Sequence, residues 1–319
     1  MELRERANMR IAVLAGGTSD EREISLLSGE NAARALREAG FGAVELIDPA
    51  EPGFLSALSN NRPDVAFLAL HGAGGEDGTI QGALEFLHIP YTGSNSIASA
   101  CAVDKDLAKL LYDRAGIPIS PGVALMPADE IDAAALAPTV GEESFVKPAI
   151  NGSSYGVRPV HTSAELPEAI AFARSFCSKV LVERRVVGTE VTVGVLGDGE
   201  TLRALPVVEI CMPEQSEFYD LEVKYVDPTD IHRIPARLDA KTYALVQELA
   251  CRAHTALGCY GISRSDFIVS ADGPVILETN TIPGMTETSL FPDEVRHAGH
   301  TFAEAATELV ELALVRGCR

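Results

Sequence analysis

The chain has 319 residues, enough for two or three domains of ordinary size around well-buried cores. Its 26 Lys and Arg residues are outnumbered by 46 Asp and Glu residues, and the net charge of -20 argues against nucleic acid or an anionic membrane as a partner. The N-terminus is charged, and the apolar run at 11–17 is too short for a signal sequence or a spanning helix. We therefore expect a cytoplasmic protein.

Strand and helix patterns alternate over the first ninety residues. The apolar runs at 10–15 and 65–70 predict buried strands, and each leads into a glycine-rich polar loop. Asp20, with Glu23 three residues later, predicts an N-capping box at the start of a helix. This alternation predicts an open parallel sheet, whose ligands bind beyond the carboxyl ends of the strands, where both loops fall.

The character of the sequence changes at 102–187. A lysine-bearing helix is followed by a strand that ends at Lys147, the loop "NGSSYG", a second helix and a further strand, and this order predicts a smaller α+β domain. Backbone N–H groups of the loop could cradle phosphate oxygens, although a lone loop of this kind is more typical of a hairpin turn. It lacks the ending of a Walker A loop, and the first glycine pair lacks the dinucleotide fingerprint.

The stretch "RSDFIVSADGPVILETN" predicts a β-hairpin with an Asp-Gly turn signal. With a three-residue loop at 271–273, Asp266 lies opposite Glu278 and shares a face with Asn280, whereas a two-residue loop places Asp266 opposite Thr279. The glycine in the third loop position favours the first register. Two carboxylates and an amide on one face suit Mg²⁺, and an ordinary solvated strand end explains the same spacing equally well.

Two segments, one before this hairpin and one after it, predict core helices. Apolar residues repeat at intervals of three and four in the segment 241–258. A Thr301/Glu304 capping box opens the last helix, whose apolar face we expect to be buried. Neither segment predicts chemistry.

Seven motifs occur in the order and at about the separations found in D-alanine-D-alanine ligases of the ATP-grasp superfamily. They are "GGTSDEREISL", "ALHGAGGEDGTIQG", "PYTGSNSIASACAVDK", "FVKPAINGSSYGV", "YDLEVKY", "GISRSDF" and "LETNTIPGMTETSL". The chain resembles this family from about residue 10 to the final helix. The resemblance implies a mixed α/β and α+β, three-domain ATP-grasp fold with an N-terminal Rossmann-like parallel sheet. The implied domains are 1–95 with the first D-alanine site, 96–185 with the phosphate loop, and 186–319 with the metal and second-substrate site.

The resemblance also implies an activity. The family makes D-alanyl-D-alanine for peptidoglycan precursors: ATP phosphorylates the carboxylate of a first D-alanine, and the amine of a second attacks the acyl phosphate. ATP and two Mg²⁺ ions, which Mn²⁺ can replace, are the implied cofactors. D-alanine and ATP are the implied small-molecule partners, within a homodimer. The same chemistry with another second substrate, such as D-serine, stays open.

Site residues follow from the resemblance, motif by motif. The metal ions would be held by Asp266, Glu278 and Asn280. Binding of ATP would involve Lys105, Lys147, Gly152, Ser154, Glu183, Glu190 and Lys224. The catalytic group would comprise Glu21, Ser153, Tyr225, Arg264 and Gly284. The D-alanine molecules would also contact His71, Ser289 and Leu290.

Individual roles are implied in the same way. Glu183 would bind the adenine amino group and Glu190 the ribose hydroxyls, while the lysines would contact phosphates. Glu21 would pair with the ammonium of the first D-alanine. Arg264 and the Gly284 N–H would bind the oxyanion of the tetrahedral intermediate.

Four positions depart from the family pattern: Ser265, Thr279, Leu221 and Tyr155. Strand alternation should point Ser265 and Thr279 away from the metal. Tyr225 favours an amine as the second nucleophile, because relatives that use D-lactate generally lack this tyrosine. A nucleotide-binding protein without catalysis would show damage at the metal ligands or at Arg264, and the sequence shows none. An NAD-binding oxidoreductase is excluded by the missing fingerprint.

Overall fold

The structure is a computed structural model that describes residues 3–152, 155–211 and 231–317. Within these ranges the strands form three sheets. The predicted site residues Ser153, Ser154, Lys224 and Tyr225, and the departure at Leu221, lie outside the described residues.

The N-terminal sheet is parallel, with strand order β2-β1-β3, as the alternating pattern predicts. Its strands are β1 (Arg10–Leu14), β2 (Ala43–Ile47) and β3 (Val65–Leu68). The accompanying helices are α1 (Leu3–Asn8), α2 (Arg22–Glu38), α3 (Phe54–Asn60) and α4 (Thr79–Phe86). All of β3 and most of β1 are buried, which explains their continuous apolar runs.

The predicted capping box at the start of α2 is wrong. The N-cap residue is Glu21, and it forms no side-chain capping bond. The helix therefore begins one residue later than a box opened by Asp20 would place it.

The middle sheet is antiparallel, with order β4-β7-β5-β6. Its strands are β4 (Gly122–Leu125), β5 (Ser144–Pro148), β6 (Arg158–Val160) and β7 (Val180–Arg184). The helices of this region are α5 (Ser96–Val103), α6 (Lys105–Arg114), α7 (Ala133–Val140) and α8 (Leu166–Arg174). Because β5 pairs with β6, the glycine- and serine-rich loop joins the two strands of a hairpin.

The third sheet has order β11-β10-β8-β12-β13, with β9 beside β8. Its strands are β8 (Thr189–Gly197), β9 (Arg203–Ala204), β10 (Val208–Ile210), β11 (His232–Arg233), β12 (Gly261–Ser270) and β13 (Gly273–Asn280). Three helices accompany this sheet: α9 (Ala240–Leu257), α10 (Leu290–His297) and α11 (Phe302–Arg316). The first and the last correspond to the two predicted core helices. The Thr301/Glu304 capping box of α11 is confirmed.

The largest core joins the N-terminal sheet to the last helix. It contains residues of β1, β3 and α2 together with Ala306, Leu309 and Val310 of α11. A second core lies between α6, α9 and the third sheet, and a third lies inside the middle sheet and its helices. The predicted domain boundaries stay a prediction. No helix among the residues described has the length and apolar character needed to cross a bilayer.

Candidate active site

The hairpin of β12 and β13 sets the predicted metal ligands against each other. Asp266 pairs with Glu278, and Arg264 pairs with Asn280, as the favoured register predicts. The predicted three-residue loop is wrong, because Ser270 pairs directly with Gly273 across a two-residue turn. The pairing is preserved by a bulge: Phe267 pairs with Ile276, so Leu277 is the extra residue in β13.

The bulge exchanges the faces of β13. Before it, Pro274 and Ile276 are buried; after it, Thr279 is buried instead. Ile276 therefore packs in the core opposite Phe267, while Glu278, only two positions later, faces the cavity described below. Without a bulge, residues two apart would share a face.

The predicted metal ligands Asp266, Glu278 and Asn280 lie close together. Asn280 Nδ2 donates to Asp266 Oδ2 at 3.3 Å, and the Arg264 guanidinium donates to both oxygens of Asp266 at 3.1 and 3.2 Å. Lys105 Nζ lies 3.0 Å from Glu278 Oε2. Carboxylate and amide oxygens are the ligands that Mg²⁺ takes, so these residues fit that ion. Within the described ranges, no set of three or more His, Cys, Asp and Glu side chains could hold a metal, and this group has two carboxylates and an amide.

The departures at Ser265 and Thr279 lie on the opposite face, as predicted. Both side chains are buried, and their hydroxyl oxygens lie 2.8 Å apart. Tyr112 of α6 donates its hydroxyl to Thr279 Oγ1 at 2.8 Å. These hydroxyls satisfy one another inside the core, so the two departures do not contact the predicted metal ligands.

Two cavities meet beside the predicted metal ligands. The larger, of about 570 Å³, is lined by Lys147, Glu183, Glu190 and Arg264, and by the apolar side chains of Phe145, Ile210, Ile268, Leu277 and Leu290. The smaller, of about 320 Å³, is lined by Glu21, Gly72, Glu76 and Asn280. Lys105, Asn151, Gly152, Tyr155 and Glu278 line both. A ligand in one cavity would therefore lie next to a ligand in the other.

Glu21 brings the first loop and the phosphate loop together. A Cβ atom built on Gly152 or on Gly72 would lie 2.8 Å from Glu21 Oε2, closer than side-chain atoms approach each other. Gly72 has a φ of +70°, which favours glycine, whereas a side chain at position 152 would require the end of the flexible Glu21 side chain to shift.

Lys105 and Lys147, the two predicted phosphate lysines among the described residues, are both paired with carboxylates. Lys147 Nζ contacts Glu183 Oε2, and Lys109 Nζ contacts the other oxygen of the same carboxylate. Lys105 Nζ contacts Glu278 and also donates to the Asn151 carbonyl at 2.8 Å. Burial alone would raise the pKa of Glu183, but the charges of Lys147 and Lys109 outweigh it and hold that pKa below its ordinary value.

Arg264 and the loop before α10 form the far side of the larger cavity. Burial alone would lower the pKa of Arg264, but the charge of Asp266 outweighs it, so the guanidinium stays cationic. A Cβ on Gly284 would lie 2.9 Å from Ser289 Oγ. Ser289 is the N-cap of α10 and accepts the Thr286 N–H at 3.0 Å, while Leu290 lines the cavity.

His71 lies behind the site. Its ring Nε2 is 2.9 Å from Ser28 Oγ, and Ser28 Oγ accepts the Met285 N–H at 3.2 Å. Burial lowers the pKa of His71 to about 4, so the ring is neutral at pH 7. These contacts support the loop that carries Gly284. His71 itself lines neither of the two cavities.

Sequence reasoning missed four residues near this site. Lys109 lies one helical turn after Lys105 and could have been found from that spacing. Glu76, in the glycine-rich loop, lines the smaller cavity. Leu277 lines the larger one because of the bulge, which no turn signal reveals. Glu294 of α10 is buried with its carboxyl oxygen accepting the Gly194 N–H at 2.6 Å, although its sequence context resembles a solvated helix face.

Comparison with known proteins connects this geometry to a family. The family model "D-ala D-ala ligase N-terminus" matches residues 50–94, and "D-ala D-ala ligase C-terminus" matches residues 111–311. The D-alanine-D-alanine ligase of Desulforamulus reducens is 43% identical over 313 residues, covering 96% of this chain and 99% of the relative. This chain belongs to the D-alanine-D-alanine ligase family.

Further members of the D-alanine-D-alanine ligase family agree. The enzyme of Rhodospirillum rubrum is 45% identical over 310 residues, covering 95% of this chain and 98% of the relative. The crystal structure of the Bacillus anthracis ligase complexed with ATP superimposes with a TM-score of 0.81 at 28% identity, covering 97% of this chain and 98% of that one. The Coxiella burnetii ligase gives 0.82 at 29% identity, covering 97% and 96%. The three sheets are thus those of the family's ATP-grasp fold.

Proposed function

We propose that this protein joins two D-alanine molecules to D-alanyl-D-alanine in a reaction that requires ATP and Mg²⁺ and serves peptidoglycan precursor synthesis. The carrying observation is the pairing of Asp266 with Glu278, beside Asn280, where two cavities share Lys105 and Glu278. One cavity is large enough and apolar enough for a nucleotide, and the smaller one is bordered by the Glu21 carboxylate. Phosphoryl transfer needs this adjacency of donor and acceptor.

In the first step, the γ-phosphoryl group passes from ATP to a carboxylate oxygen of the first D-alanine. ADP is the leaving group, and the product is an acyl phosphate. Glu21 pairs with the ammonium of that D-alanine and orients the carboxylate toward the larger cavity. Lys105 and Lys147 offset phosphate charge, and the apolar walls at Phe145 and Leu277 receive the base. Glu190 lines the same cavity, in reach of the ribose hydroxyls.

In the second step, the amine of the second D-alanine attacks the acyl carbon and inorganic phosphate leaves. Arg264, held cationic beside Asp266, and the Gly284 N–H stabilise the oxyanion of the tetrahedral intermediate. Ser289 and Leu290, at the start of α10, receive the carboxylate of the second D-alanine, and His71 supports their loop through Ser28.

Asp266, Glu278 and Asn280 hold the Mg²⁺ ions, for which Mn²⁺ can substitute. When bound, the ions offset the charge that develops on the transferring phosphoryl group. The proposal extends to Gly152, Ser153 and Ser154 as the loop over the phosphates, to Lys224 at the γ-phosphate and to Tyr225, although the last four lie outside the described residues.

We also propose that the protein acts in the cytoplasm as a homodimer, binding neither nucleic acid nor membrane. The net charge of -20 supports the last two points because polyanions and anionic surfaces repel such a protein. Light scattering coupled to size-exclusion chromatography tests the assembly, and a mass of one chain would contradict it.

The activity is tested by phosphate release from Mg-ATP with D-alanine, L-alanine, D-serine or no amino acid, with product identification by mass. We expect release and the D-alanyl-D-alanine mass with D-alanine. A mixed D-alanyl-D-serine product at comparable rate would instead favour the alternative second substrate. No release with any amino acid would contradict the ligase proposal.

The metal group is tested by Asp266→Asn and Glu278→Gln. Each removes one anionic ligand, so we expect kcat/KM to fall about 100-fold or more, as for other groups that offset transition-state charge. The matched control is Asp272→Asn at the exposed tip of the same hairpin, which should leave kcat/KM unchanged. Unchanged Mg²⁺-dependent turnover in Glu278→Gln would show that the ions are held elsewhere.

A further inference from the structure

Helix α6 carries two lysines on one face, and the first of them lines the larger cavity. Lys105 and Lys109 are four residues apart, about 6 Å along the helix, and so project from the same side. Asp104 caps the start of the helix by accepting the N–H groups of Asp106 and Leu107. Lys105 is thereby directed to Glu278 at the phosphate end, and Lys109 to Glu183 at the other end.

Lys109 contacts Glu183 from inside the protein. Only 7% of Lys109 and 4% of Glu183 is exposed, and Lys147 contacts the second oxygen of Glu183 from the cavity side. Of these three described residues, Lys147 and Glu183 line the cavity and Lys109 does not. A ligand can therefore displace Lys147 from Glu183 without reaching Lys109.

Glu183 has little freedom to move. It lies on β7, between Gly122 of β4 and Phe145 of β5. A Cβ built on Gly122 would lie 3.0 Å from Glu183 Cγ, so the two strands pack closely beside this side chain. A carboxylate buried without a cation is unfavourable in its ionised form and takes up a proton instead. Both lysines now keep Glu183 ionised, since burial alone would raise its pKa.

ATP binding would separate these two lysines. The phosphates attract Lys147, and its departure opens one oxygen of Glu183 to the cavity while Lys109 stays on the other. We propose that Lys109 is a positioning residue for nucleotide selection: it keeps Glu183 in place as the hydrogen-bond acceptor for the 6-amino group of adenine after Lys147 has moved to the phosphates. This inference rests on the proposed function, which places ATP in the larger cavity.

The inference predicts a specific selectivity. An ionised carboxylate accepts a hydrogen bond from the 6-amino group of adenine and repels the 6-oxo group of hypoxanthine. If Glu183 gains a proton or retains Lys147, the preference for the amino group weakens. A purely structural lysine would instead lower the affinity for both nucleotides equally.

The experiment is calorimetric titration of ATP and inosine triphosphate, each with Mg²⁺, into the full chain and Lys109→Met. We expect the ratio of the two dissociation constants to shrink about tenfold in Lys109→Met, mostly through weaker ATP binding. The matched control is Lys179→Met, which removes another partly buried lysine paired with carboxylates on α6 and should keep the wild-type ratio. An unchanged ratio in Lys109→Met, or an equal loss in Lys179→Met, would overturn the inference.

A second pair of variants decides the matter if Lys109→Met alone does not fold. Glu183→Gln and Lys109→Met/Glu183→Gln both lack the buried anion, so the double variant leaves no unpaired charge. If Lys109 acts through Glu183, the two variants have the same nucleotide ratio, and a further loss in the double variant would overturn the inference. Because titration reads binding alone, a wild-type protein without D-alanine-dependent phosphate release would contradict the ligase proposal and leave this result standing.

Discussion

Glu294 is fully buried and Glu76 is half-buried, and the surroundings of both carboxyl groups favour the proton-bound form. Burial, followed by the nearby charge of Glu21, raises the pKa of Glu76 from its ordinary value near 4.5 to about 8. Burial likewise raises the pKa of Glu294 well above 4.5, which favours the neutral carboxyl. Each group thereby limits the negative charge that gathers around the two cavities.

The raised pKa of Glu76 makes stability depend on pH. Between about pH 4.5 and 8 the folded protein retains a proton that the unfolded chain has lost, so this contribution to stability is complete at low pH and declines as pH rises through 8. We expect the free energy of unfolding of Glu76→Gln to fall less steeply over this range, by up to about 1.4 kcal/mol per pH unit. Urea unfolding at several pH values measures this, and parallel profiles for the two proteins would contradict it.

Two substitutions of Glu294 test whether its carboxyl group is neutral or is ionised and paired with Arg264. If the carboxyl is neutral, Glu294→Gln keeps its shape and its bond to the Gly194 N–H, and stability should change by less than about 1 kcal/mol. Glu294→Ala leaves that N–H unpaired beside a cavity and should cost about 2–4 kcal/mol. Equal losses in both variants, measured by urea unfolding, would mean that Glu294 is charged and paired.

At the scale of the element, the bulge in β13 can be tested by two adjacent substitutions. Ile276 is fully buried opposite Phe267, so Ile276→Ala should cost about 2–4 kcal/mol of unfolding free energy. Leu277 lines the larger cavity, so Leu277→Ala should weaken ATP binding with a smaller loss of stability. The reverse result, in urea unfolding and ATP titration, would place Leu277 in the core, as a regular hairpin with a three-residue loop requires.

The elements also show which features a sequence can reveal. Buried runs gave β1 and β3 to within two residues, and the Thr301/Glu304 spacing gave the start of α11, because local patterns determine these features. The pairing of Asp266 with Glu278 was predicted correctly, but from the wrong loop length. One extra residue shifts the pairing equally whether it lies in the turn, as predicted, or in a bulge, as the structure has it. Glu294 carried no signal, since its burial depends on contact with β8, which is distant in sequence.

At the scale of the molecule, Arg316 of α11 connects the N-terminal and third-sheet regions. It donates to the Tyr91 carbonyl at 2.7 Å, and its guanidinium lies 4.4 and 4.8 Å from the ring centroids of Tyr91 and Tyr260. Lysine cannot reproduce a planar donor that stacks on two rings, so Arg316→Lys should lower the unfolding free energy by about 1–2 kcal/mol.

Because one core includes both regions, we expect a single unfolding transition that shifts as a whole in Arg316→Lys. Arg296→Lys is the control: its side chain is half exposed and pairs with Asp293 on the same helix, so its effect should be within about 0.5 kcal/mol. Separate transitions for the N-terminal and third-sheet regions in urea, with only one of them shifted, would contradict a shared core.

The packing of α11 on the N-terminal sheet has a consequence for synthesis on the ribosome. The strands β1, β2 and β3 are complete by residue 68, whereas Ala306, Leu309 and Val310, which cover the same core, are translated much later. Part of the apolar surface of the first sheet therefore stays exposed until α11 has been translated. Chaperones bind exposed apolar surface of this kind, and it also promotes aggregation. Expression yield should accordingly respond to chaperone supply and to translation speed, even though the finished protein encloses this surface.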